Sequence, residues 1–380
     1  MKYVTAGESH GKNLTIIIDD VPAGISLSED DINRELVRRS DCVGRSYRQA
    51  MEDDRAKITA GVFDRKTTGA PVCVTIDNNV EDEDSSLMNT VARPGHADFT
   101  GSIKYLEPNT KIARERASAR ETASRIVAGV IAKNMLDELG VSVFSYVRQI
   151  GKASFNDSFI FDDPSTLQYL KNAPATMCSI PHKRTSKKAV RLINKAVRQG
   201  NTLGGYFRVI VNGLTPGLGG YAQGTDRLTS KLSASVCSVP AIKCVEFGIG
   251  HKSSNKFGVS ILDQFSNLGD KGRKTNFAGG LEAGITNGMP LILGAYVKPF
   301  SSTKKPVTCF DFQDGSTVSY EGKTRSDCCG VQSAAVIAEG EVAVVIADAY
   351  MNKFGHDSLV EIKSNLATFS TAVDHIVGRN

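Results

Sequence analysis

The 380-residue chain has no Cys-x-x-Cys pair, no apolar run approaching a membrane span, no Pro-, Gly- or Ser-rich linker and no repeat of fixed period. Each absence closes a class of protein. Eight scattered cysteines, of which only Cys328 and Cys329 are adjacent, offer no zinc-ligand spacing and fit a reducing compartment better than a disulfide scaffold. The opening residues turn polar too early for a signal peptide, so with no membrane span in sight a soluble, cytoplasmic protein is expected. Without linkers or repeats, one domain is expected over residues 1–380, with 371–380 as a flexible C-terminal tail. A net charge of only +5 suits binding of small anions rather than coating of nucleic acid. Hydrophobic content of 41% and charged content of 23% are ordinary for a globular chain and argue against disorder.

What is present centres on Arg114–Arg125, Arg-Glu-Arg-Ala-Ser-Ala-Arg-Glu-Thr-Ala-Ser-Arg. Ser118 and Glu121 have capping-box spacing, which predicts a helix beginning near Ser118. Ile126, Val127, Ile131, Met135 and Leu139 recur at helical spacing, and Gly140 supplies a stop. The positive end of that helix would lie beside Arg116 and Arg120, a setting for phosphate or another multiply charged anion. A plain capped helix with solvated arginines is the alternative. A second basic cluster, Arg38, Arg39, Arg45 and Arg48, follows a predicted helix capped by Ser28 with Ile32, Leu36 and Val37 inside. Arginines set around Gly44 make either an anion clamp or a solvated face.

Strands are expected over 14–18, 56–63, 71–76, 141–151, 206–211 and 292–298. Helices are expected over 165–170 and 189–197, through Leu228, Leu232 and Val236, after Asp327 and from Ser358. Strands and long helices without regular alternation indicate an α+β fold. The small-residue stretches 275–280 and 284–288 either admit a flat ligand or make tight connections. Among six histidines, His10 sits in Gly7-Glu8-Ser9-His10-Gly11, and His96 in a turn, Arg93-Pro94-Gly95-His96-Ala97-Asp98. His182, His251, His356 and His375 are read as surface residues. These features suggest a phosphate-bearing ligand and proton transfer without naming a reaction.

Taken in order, seven motifs closely resemble the signatures of the chorismate synthase family, nearly to Ser370. They are the His10 and His96 segments, Lys66-Thr67-Thr68-Gly69-Ala70-Pro71, Arg116-Ala117-Ser118-Ala119-Arg120-Glu121-Thr122, Pro216-Gly217-Leu218-Gly219, Lys298-Pro299 and Arg325-Ser326-Asp327. The resemblance implies long helices sandwiched between two antiparallel β-sheets, commonly assembled as a homotetramer. It implies a lyase that converts 5-enolpyruvylshikimate 3-phosphate to chorismate by 1,4-elimination of phosphate, the last common step of the shikimate pathway to aromatic amino acids. Such enzymes require reduced FMN (FMNH2) without net redox change, and NADPH is a candidate reductant. Carried over by motif, His10 would help protonate the reduced flavin and His96 would sit near the departing phosphate. Asp327 would assist the flavin N5 in removing the second hydrogen. Arg39, Arg45 and Arg48 would clamp the substrate, the first two also matching NADP positions. FMN would lie against Arg116, Ala117, Ser118, Pro240, Ala241, Ala283, Lys298, Pro299, Phe300, Ser301, Ser302 and Arg325. No metal, nucleic-acid or membrane partner is implied.

The chain departs from the family pattern at a few places. Leu106 follows Lys104-Tyr105 where glycine is common, and Asn109-Thr110-Lys111 stands where Asp-x-Arg is usual. Ala283 replaces a glycine, and Asn201 an aspartate. His10, His96 and Asp327 remain, so these changes bear on flavin affinity and rate more than on reaction class. Two alternatives stand beside the main expectation. One is an NADPH-dependent flavin reductase or oxidoreductase, which the lack of Gly-x-Gly-x-x-Gly after a strand disfavours. The other is an inactive homologue that binds FMN and substrate.

Overall fold

The structure, a computed structural model, describes residues 1–45, 54–78, 89–162, 166–173, 176–266, 272–321 and 327–377. Four strands, β1 (Lys2–Ala6), β2 (Asn13–Asp19), β3 (Ala56–Ala60) and β4 (Val72–Asp77), form an antiparallel sheet in the order β1-β2-β4-β3. Leu14, Ile16 and Ile18 alternate along β2, as Val72, Val74 and Ile76 do along β4. Period-two spacing puts all six on one face, where they are buried. Helix α1 (Glu29–Ser40) lies between β2 and β3, helices α2 (Ala97–Tyr105), α3 (Thr110–Arg116) and α4 (Thr122–Asp137) follow β4, and α1 and α4 cover that face.

A second antiparallel sheet contains β5 (Ser142–Ile150), β6 (Gly205–Asn212), β7 (Ile242–Phe247) and β8 (Leu291–Val297), in the order β7-β8-β6-β5. A small third sheet pairs β9 (Pro306–Asp311) with β10 (Thr317–Glu321) and with Val91–Ala92. The remaining long helices are α5 (Lys183–Arg198), α6 (Leu228–Cys237), α7 (Val331–Phe354) and α8 (Leu359–Ile376). The second sheet is covered by α6 and α7. Helices α4 and α7 pack on each other between the sheets, which gives the expected sandwich. They meet at two glycines: a Cβ on Gly129 would stand 2.6 Å from Gly340 Cα, so a side chain there would push the helices apart.

At 24 residues, α7 is about 36 Å long and is buried almost all round, as its alanine- and valine-rich sequence requires. Its two buried acids are paired. Glu339 accepts from Arg38 and Lys133, and Glu341 from Tyr3, Ser235 and Arg125. Burial alone would raise the Glu339 carboxyl, but Arg38 and Lys133 together hold it well below the usual carboxylate range.

Several expectations need correction. Helix α2 was foreseen only as a turn. Ser28 does cap α1 in a capping box, with Asp31, but Val37 is 58% exposed and Arg39 is the buried residue. Helix α8 continues to Ile376, through most of the segment assigned to a tail, and residues 378–380 lie outside the described residues. The helix expected over 165–170 is found at Leu167–Lys171, with Ser165 outside the described residues. No described helix is long and apolar enough to cross a membrane.

Candidate active site

The chain leaves β1 and turns through Gly7–Gly11 before β2. A Cβ on Gly7, at φ 110°, would meet Asn13 O at 2.4 Å, so the turn admits only glycine there. Glu115 of α3 holds the loop. It accepts from the His10 backbone N at 2.8 Å and from Nδ1 at 2.8 Å, and its carbonyl accepts from Ser9 N. A carboxylate can only accept, so Nδ1 carries the hydrogen and Nε2 is left as the nitrogen for proton work. That Nε2 is buried and has no hydrogen-bond partner among the described residues. The letters of this loop fit Gly-x-Ser-x-Gly, but it leads into a strand rather than a helix and is no nucleophile elbow.

Arg116 was expected beside an open helix N-terminus. Instead its guanidinium donates to Gly7 O and to Thr5 O and Oγ1, clasping the His10 loop from the other side. The capping box at Ser118 does not form. Ser118 Oγ accepts from Arg120 N at the start of a single 3₁₀ turn, Glu121 pairs with Arg125, and α4 begins at Thr122. Arg120 is buried, donating to Asp54 and to Asn78 Oδ1, and Asn78 Nδ2 donates back to Glu8 O and Gly11 O. The phosphate site expected on free N–H groups beside Arg120 is therefore filled by the protein's own side chains.

The network continues. Arg39, 3% exposed, donates to Thr122 Oγ1 and Ala119 O, and lies 3.8 Å from Asp54. It braces the start of α4 instead of reaching out as a clamp. Arg45 Nη2 donates to Arg39 O at 2.6 Å and to Ser333 Oγ at 2.8 Å, and Nη1 reaches Asp327 at 3.4 Å. Its Nε is buried with no hydrogen-bond partner among the described residues. Cys328 N donates to Gly44 O, which zips the Arg45 and Asp327 segments together. A chain of contacts thus joins His10 to Asp327. Arg48 and Arg325 lie outside the described residues.

His96 is the N-cap residue of α2. Its Nδ1 donates to Asp98 at 2.7 Å, and Arg93 donates to the same carboxylate through Nε at 2.7 Å and Nη2 at 3.2 Å. Burial would raise the Asp98 carboxyl, yet the hydrogen bonds from His96 and Arg93 hold it well below the usual range. Arg93 also donates to Ser302 Oγ, and Lys298 Nζ to Gly95 O. Lys298 N donates to Ala241 O, and Phe300 O accepts from Thr202 Oγ1 while its ring fills the space a side chain on Gly330 would need. The Lys298–Ser302 segment therefore links the His96 turn to Ala241 and to the start of α7.

Ala283 is not brought into this group by these bonds. It turns a short hairpin pinned at Gly284 against Arg227 and Leu228. It sits at φ 50° and Ala241 at φ 70°, backbone that favours glycine. Gly279 and Gly280 serve close backbone packing: a Cβ on Gly279 would stand 2.4 Å from Gly248 N, and one on Gly280 2.5 Å from Pro290 O. Sequence reasoning gave Glu115 and Asp98 no role, although each fixes a histidine. Asp98, two residues past His96, was open to discovery, whereas Glu115 acts across 105 residues.

A family model described as chorismate synthase matches residues 1–351. The chain is similar to the chorismate synthase of Bacillus velezensis, with 39% identity covering 96% of this chain and 97% of the relative. It is also similar to that of Aquifex aeolicus, with 36% identity covering 99% and 98%. A solved structure titled as the crystal structure of chorismate synthase superposes with a TM-score of 0.80 at 32% identity, covering 98% of both chains. None of these matches favours a flavin reductase. With its motifs, sandwich fold and full-length matches in agreement, the chain belongs to the chorismate synthase family, lyases that form chorismate by eliminating phosphate.

Proposed function

We propose that His10, His96, Arg45 and Asp327 carry the 1,4-elimination of phosphate from 5-enolpyruvylshikimate 3-phosphate in this chain. One observation supports the assignment above others: the two motif histidines, both largely buried, each have Nδ1 locked by a carboxylate, Glu115 for His10 and Asp98 for His96, whereas the comparable pairs of His251 and His356 lie at more exposed rings. A histidine held in this way presents Nε2 in a fixed direction for giving or taking a proton. His96 Nε2 then donates toward the leaving phosphate oxygen, with Asp98, itself held by Arg93, balancing the imidazolium. Asp327, steadied by Arg45, offers a carboxylate for the hydrogen lost from the ring. Arg45, with Arg48 by the family pattern, meets the substrate's anionic groups.

Reduced FMN fits this setting because His10 Nε2 and Arg45 Nε are buried polar atoms that await a partner. Arg116–Ser118, Pro240–Ala241 and Lys298–Ser302 would hold it, with Ala283 and Arg325 added by the family pattern. When bound, the reduced flavin supplies the electron density that lets phosphate leave without net oxidation. NADPH as the reductant, a homotetrameric assembly and a cytoplasmic location belong to the same reading, supported by family membership.

The test is anaerobic: purified protein, chemically reduced FMN and substrate, followed for chorismate and phosphate. Stoichiometric appearance of both, with flavin still reduced, is expected. His10→Ala and His96→Ala should each lose at least about 10²-fold in kcat while still binding FMN. Near-normal rates in both variants would remove their assigned roles. Repeating the assay with NADPH and oxidised FMN tests self-reduction.

A further inference from the structure

Helix α5 reads Lys-Arg-Thr-Ser-Lys-Lys-Ala-Val-Arg-Leu-Ile-Asn-Lys-Ala-Val-Arg, with seven basic residues in sixteen and no acid. It carries more positive charge than the whole chain's net +5, so the rest of the chain is net acidic. Ala189, Ile193 and Ala196 are buried, and every basic side chain of the helix is exposed. None of them forms an ion pair with a described residue.

This pattern does not favour the helix. Lys183 and Arg184 occupy the first turn, where the helix dipole prefers acids. Lys187 and Arg191, and Arg191 and Lys195, are like charges four residues apart and repel. A helix face that is merely solvated does better with mixed signs. The charge is therefore kept for something outside the fold.

Its position supplies a reason. A Cβ on Gly44 would meet Ile193 Cγ2 at 2.6 Å, and Cys328 Sγ donates to Ile193 O. Gly44 precedes Arg45 and Cys328 follows Asp327, so α5 backs directly onto that pair. Past the helix end, Lys304 N donates to Gly200 O, which adds the exposed Lys304 and Lys305 to the same surface.

We propose that the exposed face of α5, with Lys304 and Lys305, is an electrostatic collector that draws the substrate, a compact anion with a phosphate and two carboxylates, toward the Arg45–Asp327 site. The inference rests on the function proposed above. A cleft or wall of one charge sign raises local substrate concentration and association rate, and salt screens the effect. A lipid surface fits less well, because Ala189, Ile193 and Ala196 are buried, Val190 and Leu192 pack against the core, and only Val197 of the apolar residues of α5 is exposed.

The test compares wild type with the triple variant Lys187→Glu, Arg191→Glu, Lys195→Glu, whose fold is checked by circular dichroism. With reduced FMN, kcat/KM for the substrate is measured from about 20 mM to about 500 mM salt. Wild-type kcat/KM should fall roughly tenfold or more as salt rises. The variant should start about tenfold lower, lose most of that salt dependence and converge with wild type at high salt, with kcat the same in both. Equal kcat/KM at low salt, or equal salt slopes, overturns the collector. Unchanged kcat/KM together with lost binding of a fluorescent single-stranded RNA also overturns it, and assigns the face to nucleic acid. A wild-type protein that makes no chorismate defeats the proposed function and this inference together. An active wild type with an unaltered variant defeats this inference alone.

Discussion

Asp98→Asn removes one charge from a carboxylate that is fully buried and accepts from Arg93 Nε and Nη2 and from His96 Nδ1. Asparagine keeps one acceptor oxygen and replaces the other with a donor. If the oxygen stays with Arg93, His96 Nδ1 faces an N–H group and must give up its hydrogen, which reverses the tautomer. If the oxygen turns to His96, the Arg93 guanidinium faces a donor instead. Breaking a buried charge pair in this way should cost about 3–5 kcal/mol of stability, because Arg93 stays buried. The imidazolium of His96 also loses its counter-charge, so kcat should fall about 10²–10⁴-fold. The assay is a double-mutant cycle in chorismate formation. If Asp98 acts only by orienting His96, the variant His96→Ala/Asp98→Asn should be no slower than His96→Ala. Fully additive losses, or Asp98→Asn within about threefold of wild type, would refute the orienting role.

Gly129→Ala should lose about 1–3 kcal/mol in denaturant unfolding, because its Cβ would stand 2.6 Å from Gly340 Cα. Gly340→Ala, whose Cβ would stand 3.3 Å from Gly129 Cα, should lose less than Gly129→Ala, and equal losses would contradict the crossing geometry. Leu106 at φ 54° and Ala283 at φ 50° hold left-handed backbone, and Leu106 is 90% exposed. Leu106→Gly and Ala283→Gly should each gain about 0.5–1 kcal/mol, left-handed strain outweighing the entropy of the freer chain; a loss on thermal melting would contradict this. The folded Glu339 carboxyl lies below its ordinary value. Its contribution is therefore complete above about pH 4 and lost as pH falls from there toward the folded value. Glu339→Gln should cost about 3–5 kcal/mol at neutral pH, and the gap to wild type should narrow in acid. A gap independent of pH would refute the assignment.

The α+β class was legible because several elements obey simple periods, whereas the sandwich was implied only by the family resemblance. Leu14, Ile16 and Ile18 alternate, α4 repeats apolar residues at helical spacing, and α7 shows itself as a long alanine- and valine-rich run. Helix α2 was hidden by Gly101 inside a short polar segment following Pro94 and Gly95. The false capping box shows why local letters fail: Glu121 had two partners available, and Arg125, one turn along, took it. Val37 and Arg39 exchanged places for the same kind of reason, since an arginine with Thr122 and Ala119 to bind can be buried while the valine that spacing predicts inside is left exposed. His10 and His96 stood out from their glycine-bearing turns, whereas the role of Asp327 was visible only through the ordered motifs. Their orientation by Glu115, Asp98 and Arg45 required the folded chain.

The buried acids of α7 also set the order in which the protein can be built. Arg38 meets Glu339 across 301 residues and Tyr3 meets Glu341 across 338. At about 5–20 residues per second, the ribosome delivers those partners tens of seconds after β1 emerges. Until then Arg38 and Lys133 share Glu35 alone and Arg125 has only Glu121, while α4 lacks its packing partner and the second sheet one of its two covering helices. A transcript cut short before Phe354 would therefore yield an uncovered half-sandwich, prone to aggregation and suited to capture by a chaperone rather than to partial activity.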